Sequence, residues 1–128
     1  MTLWILDTDH LSLYQRGDVE VRSHLVHIPL QQIVITIIAA EEQIRGRLAQ
    51  IRAAQTEPAR IQAYRWLYET LEMLKDFTTL GYDVSASAIY ESLRQQKLRI
   101  GTQDLRIAAI ALAVGGTLVT RNQNAPRR

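Results

Sequence analysis

The stretch Leu3-Trp4-Ile5-Leu6-Asp7-Thr8-Asp9 lies near the start of the chain, and its reading decides the fold. A short apolar run of this kind is the pattern of a strand buried in a sheet, and the two acids fall where it stops. In open α/β sheets, ligands bind outside the carboxyl ends of the strands. Asp7 and Asp9 therefore stand where a site is expected, and two carboxylates there suggest a bound cation.

Working outward, Leu11 to Gln15 and Val19 to Ile28 read as short helices separated by Gly17-Asp18, with Pro29 closing the second. Ile33 to Ile37 is an apolar, β-branched run that suits a central strand buried on both faces. A long helix follows without a loop from Ile38 to Gln55, where Ile44, Leu48 and Ile51 recur at helical spacing. A second long helix is predicted from Pro58 to about Asp76, with the proline in its first turn. Phe77 to Leu80 reads as a third strand ended by Gly81, and Ser85 to Lys97 as a further helix. Thr102 is the expected N-cap of a mostly apolar helix from Gln103 to Val114, stopped by Gly115-Gly116. Thr117 to Thr120 is the fourth strand. Strands alternating with helices imply parallel pairing and right-handed crossovers, hence an α/β fold in three layers, α/β/α.

At 128 residues and 47% hydrophobic content, the chain is expected to form a single domain, 1–128, around one core. The absence of cysteine excludes disulfides and thiolate zinc sites, so any metal is held by oxygen or imidazole. No apolar run approaches the roughly 20 residues that span a bilayer. The N-terminus also lacks the basic region of a secretory signal, so a soluble, cytoplasmic protein without a membrane partner is expected. The net charge of +2 comes mostly from arginine, since Lys75 and Lys97 are the only lysines. That mild basic excess permits a nucleic-acid partner without demanding one.

Four acids carry the candidate chemistry: Asp7, Asp9, Glu42 and Asp104. Magnesium or manganese takes oxygen ligands from one or two carboxylates, with water and substrate phosphate completing the shell. The bland alternatives stand beside this one: Asp7 or Asp9 as a helix cap, and Asp104 as a first-turn acid stabilised by the helix dipole. Glu41 and Glu42 are adjacent, and at about 100° per residue the wheel through Ile44, Leu48 and Ile51 sets Glu41 nearer the apolar stripe. Periodicity does not choose between them.

Three ordered segments carry a family resemblance. Leu6-Asp7-Thr8-Asp9, the run from Ile35 through Glu41-Glu42 to Arg45-Gly46, and Gly101-Thr102-Gln103-Asp104-Leu105-Arg106-Ile107-Ala108-Ala109 together resemble the PIN domain. More narrowly, they resemble the VapC-type ribonuclease toxins of bacterial toxin–antitoxin pairs, over nearly the whole chain. The resemblance implies a metal-dependent endoribonuclease using magnesium or manganese, with Asp7, Glu42 and Asp104 as catalytic and metal-binding acids. Glu42 is chosen over Glu41 because the family glutamate stands four residues before a glycine, here Gly46. Asp9, Thr36 and Asn122 are expected around the acids, Asp9 as a supporting acid or secondary ligand. The implied reaction hydrolyses RNA phosphodiesters to 5′ phosphate and 3′ hydroxyl ends. The implied partners are RNA, a small antitoxin protein and a second copy in a homodimer.

The tail departs from the family pattern. After Leu118-Val119-Thr120-Arg121-Asn122, Ala125 stands where the family has an acid and Pro126 where it has an aromatic residue, and the final family strand is missing. Some PIN domains carry a fourth acid at the Asn122 position, whereas asparagine can only orient water or ligate weakly. A second reading follows, a shortened PIN domain that keeps its antitoxin surface and has lost efficient catalysis. A third is a haloacid-dehalogenase-like phosphatase, because Asp7-Thr8-Asp9 imitates that nucleophile and acid pair. The downstream lysine and acidic motif that this chemistry needs are not found.

Weaker signals have double readings. Arg45 and Arg47, flanking Gly46, are candidate RNA-phosphate contacts or a solvated helix face, as are Arg94, Lys97, Arg99 and Arg106 near Asp104. His24 and His27 are read as a surface pair and His10 as helix surface. Ile61, Tyr64, Trp66, Leu67, Tyr68, Leu71 and Leu74 are expected mostly in the core, unless a groove between the long helices receives an antitoxin segment.

Overall fold

A computed structural model of the chain describes residues 2–119. Asn122 and the altered tail lie outside the described residues. Four short strands, β1 (Trp4–Leu6), β2 (Ile33–Thr36), β3 (Thr78–Leu80) and β4 (Thr117–Val119), form one sheet in the order β3-β2-β1-β4. All neighbouring pairs are parallel, with Trp4 opposite Ile33 and Thr117, and Val34 opposite Thr78. Every residue of β2 is buried, as its unbroken β-branched run requires. The helices are α1 (Thr8–Gln15), α2 (Val19–Leu25), α3 (Ile37–Ala53), α4 (Glu57–Leu74), α5 (Val84–Gln95) and α6 (Thr102–Val114). No described helix is long and apolar enough to cross a membrane.

Alternation along the strands builds the layers. Leu6, Ile33 and Ile35 cluster with Leu11, Val21, Leu25, Ala39 and Phe77 from α1, α2, α3 and the position just before β3. Ile5 and Val34 point the other way and meet Ala111 of α6. Leu105, Ala108 and Ala109 of α6 pack with Leu93 of α5, so α6 is buried on most sides. The two glycines after α6 serve different ends. Gly115 closes the helix in the left-handed region at φ 69. Gly116 lies against β1, where an added Cβ would come within 2.6 Å of Ile5 Cδ1.

Several expectations are corrected at element boundaries. The first helix begins at Thr8 rather than Leu11, because the Asp7 side chain accepts from the backbone N of His10 and caps it. α2 ends at Leu25, and a 3-10 turn at Leu30–Gln32 follows Pro29. Thr36 ends β2 and caps α3, its hydroxyl accepting from Ala39 N at 3.1 Å. The cap of α6 is Gly101, with no side-chain cap bond, and Thr102 is already helical.

The packing faces of the two long helices also differ from their apparent stripes. α3 buries Ala39, Ala40 and Gln43, and Leu48 is exposed. α4 buries Ala63 and Thr70, whereas Ile61, Tyr64 and Tyr68 are 58%, 55% and 67% exposed. Small residues let helices approach closely, and here they outrank the bulkier stripes.

Candidate active site

β1 ends at Leu6 and α1 begins at Thr8; β2 ends at Thr36 and α3 begins at Ile37. Both helices therefore start at the carboxyl edge of the sheet. α6 leads through Gly115-Gly116 into the beginning of β4, so its own N-terminus lies back at that same edge. Topology thus sends Asp7, Glu42 and Asp104 to one side of the domain, from three segments far apart in sequence.

Side-chain bonds tie these segments together. The Thr8 hydroxyl donates to Glu42 Oε1 at 2.6 Å, joining the end of β1 to α3. Gln103 Nε2 donates to Glu41 Oε1 at 3.1 Å, joining the first turn of α6 to α3. Asp7 is buried, and its Oδ1 accepts twice, from His10 N at 2.8 Å and from His10 Nδ1 at 2.9 Å. Glu42 and Asp104 are half-buried, and Asp9 is exposed.

The adjacent glutamates are distinguished by their surroundings. The Glu41 side chain is 45% exposed and pairs with Arg45 one turn on, while Glu42 turns toward Thr8. The wheel through Ile44, Leu48 and Ile51 sets Glu41 nearer the apolar stripe, whereas the buried face of α3 runs through Ala39, Ala40 and Gln43, on the side nearer Glu42.

A groove of about 530 Å³ runs between α1 and α3. Thr8, Asp9 and Glu42 line its acidic end at the sheet edge, and Arg16 and Arg47 line it further along the helices, one to two turns on. Between them Gln43 donates to Ser12 Oγ at 2.6 Å and to Thr8 O at 3.5 Å, holding the helices in register. At the basic end, Thr70 of α4 accepts from Gln15 Nε2 and from Arg47 Nε, each at 2.8 Å. Arg47 also lies 5.9 Å from the Trp66 ring centre and donates to Gln50, so packing fixes its guanidinium in the groove. Arg45 is exposed and engaged by Glu41.

Of the basic residues near Asp104, Arg94 and Arg106 are engaged, whereas Lys97 and Arg99 are exposed. Arg106 donates to Gln103 and stacks 5.0 Å from the Tyr90 ring centre. Arg94 donates to Glu91 on the surface of α5 and, through that hydrogen bond, holds the Glu91 carboxyl below its usual range. His24 and His27 are exposed.

Among the described residues, no group of three or more Asp, Glu or His side chains is arranged to hold one metal ion. Magnesium does not require one, since it is bound through one or two carboxylates and keeps several waters. The donor set at this edge is all oxygen, which suits a hard cation. Asp7 meets a further condition: its Oδ2 accepts no hydrogen bond among the described residues, yet no buried side-chain oxygen there lacks a partner. Oδ2 therefore reaches solvent from an otherwise buried side chain.

Solved structures share this fold. A chain of the DNA-bound VapBC structure from Salmonella typhimurium matches with a TM-score of 0.77 and 21% identity, over 97% of this chain and 90% of that one. FitAcB from Neisseria gonorrhoeae matches at 0.76 and 24% identity, over 96% and 90%. This chain has a PIN-like fold. A third structure with it, VapBC-5 from Mycobacterium tuberculosis, a member of the VapBC family of toxin–antitoxin systems, matches at 0.62 and 25% identity, over 97% and 88%. No protein-family model and no curated protein matches the sequence.

In this PIN-like domain, sequence reasoning missed Thr8, Ser12, Gln43 and Gln103, which join the helices, and placed His10 on the surface. The His10 side chain is 14% exposed and bonded to Asp7. A signal was available for Gln43, a polar residue three positions after Ala40 on the small-residue face of α3. For His10 the signal is its place three residues after Asp7.

Proposed function

We propose that the protein is a metal-dependent endoribonuclease, the toxin of a type II toxin–antitoxin pair. One observation carries the reading: the topology delivers the acids of three separate motifs to the carboxyl edge, with α1 tied to α3 by Thr8 and Glu42 and α3 tied to α6 by Glu41 and Gln103. VapBC-5 from Mycobacterium tuberculosis, a member of the VapBC family of toxin–antitoxin systems, shares the fold and supports it.

In this reading Asp7, Glu42 and Asp104 would surround magnesium or manganese, one or two of them binding it directly and the rest through its waters. When bound, the cation neutralises charge on the phosphoryl oxygens and makes nearby water more acidic. Thr8 keeps Glu42 aimed at the edge. The groove takes the RNA backbone, with Arg47 held at its far end for phosphate and Arg45 at its outer margin. Asp9, exposed beside Glu42, supports water or a second cation, and Thr36 acts indirectly by fixing the start of α3. Water attacks phosphorus opposite the 3′ oxygen, which leaves as hydroxyl, and the new end carries the 5′ phosphate. A small antitoxin and a second copy of the chain are the proposed protein partners, for which the exposed apolar side of α4 provides surface.

The test is cleavage of a panel of structured RNAs by purified protein with magnesium or manganese, beside chelator and Asp104→Asn controls. Cleavage abolished in both controls is the expected result. A folded protein that cleaves nothing under any of these conditions overturns the proposal.

A further inference from the structure

We infer that His10 is a positioning residue for Asp7, locking the carboxylate so that one oxygen is committed to the protein and the other is presented at the sheet edge. The inference rests on the metal-site reading above. Its starting point is the double use of Asp7 Oδ1, which accepts from His10 backbone N at 2.8 Å and from His10 Nδ1 at 2.9 Å. A carboxylate oxygen only accepts, so the ring proton in this contact sits on Nδ1. The backbone bond alone would satisfy the helix cap, as Asp18, Thr36, Thr56 and Asp83 satisfy theirs with a single acceptor and no ring. The imidazole is therefore additional to capping.

Its effect is on carboxylate rotation. A cap bond to one oxygen leaves the group able to swing about that contact, whereas two donors converging from one residue fix its plane. Oδ2, which has no hydrogen-bond partner among the described residues and reaches solvent, is then held in one direction. A ligand oxygen already oriented loses less freedom when a cation binds, and partners that orient metal ligands are typically worth about 10–100-fold in metal affinity. The His10 ring is itself nearly enclosed, at 14% exposed, so it has little freedom to leave the contact.

The experiment measures manganese binding to the full chain by calorimetry or by the paramagnetic signal of free ion, without RNA. The proteins compared are wild type, Asp7→Asn, His10→Leu and His10→Asn, with thermal unfolding of each as the control for folding. Leucine keeps bulk but removes the donor; asparagine places an N–H near the position of Nδ1. Manganese affinity should fall about tenfold in His10→Leu. It should recover most of that loss in His10→Asn, and a purely structural role would not produce this recovery. Equal affinity in wild type and His10→Leu, both folded, overturns the role of His10 alone. Failure of asparagine to restore binding while its helix content matches wild type overturns it as well. Wild type that binds no manganese, or binds it equally well after Asp7→Asn, overturns the metal-site reading and this inference with it. Should His10→Leu fail to fold, His10→Ala and His10→Asn decide between the same outcomes.

Discussion

Thr8→Val removes one hydroxyl and keeps a β-branched side chain, so its effect falls on the bond to Glu42. That bond is 2.6 Å long, within the roughly 2.5–2.7 Å of an O–H donor on a carboxylate. Hydrogen bonds to charged groups contribute about 1.5–3 kcal/mol net. Glu42 is half-buried, so water replaces part of what is lost and the lower figure, about 1.5 kcal/mol, applies. In a domain of this size that corresponds to roughly 5 °C in melting temperature. Other effects of removing either group are separated by a double-mutant cycle in denaturant unfolding, with Glu42→Ala as the second change. We expect a coupling of about 1–1.5 kcal/mol between the two sites. A coupling within about 0.5 kcal/mol of zero, the scatter expected of independent sites, would refute the clamp.

Thr70→Val takes the common acceptor from Gln15 and Arg47 inside the core, and should cost about 1–3 kcal/mol in the same unfolding assay. Gly116→Ala forces a methyl group against Ile5 and should cost about 1–3 kcal/mol, while an equivalent change at Gly46, where the Cβ position is open, should not destabilise by overpacking. Tyr68→Ser, on the exposed side of α4, should leave chemical stability within about 0.5 kcal/mol of wild type; a loss of several kcal/mol would mean that the aromatic is core after all. Chelation should abolish RNA cleavage and added manganese restore it, as followed by gel electrophoresis of the products; cleavage that persists in chelator would count against the carboxylate site.

The sequence by itself determined the element order and the edge on which the acids stand. Short apolar runs bounded by polar residues suit buried strands, and strands alternating with helices favour parallel pairing, so Asp7 and Asp104 were legible as candidates from the pattern, and Glu42 over Glu41 through the family resemblance. Tertiary structure alone decided what those residues touch. Periodicity ranks faces by hydrophobicity, but helices meet where their surfaces fit: α3 and α4 bury Ala39, Ala40, Ala63 and Thr70 and leave Ile61, Tyr64 and Tyr68 outside. For the same reason Glu41 faces solvent and Glu42 faces Thr8, a choice between neighbours that no wheel could make. The bond from Thr8 to Glu42 spans 34 positions and exists only because the β1–β2 pairing brings their helices side by side. His10 lies three residues from Asp7, close enough to suspect, yet its direction depends on the cap that Asp7 forms once the chain turns from strand to helix.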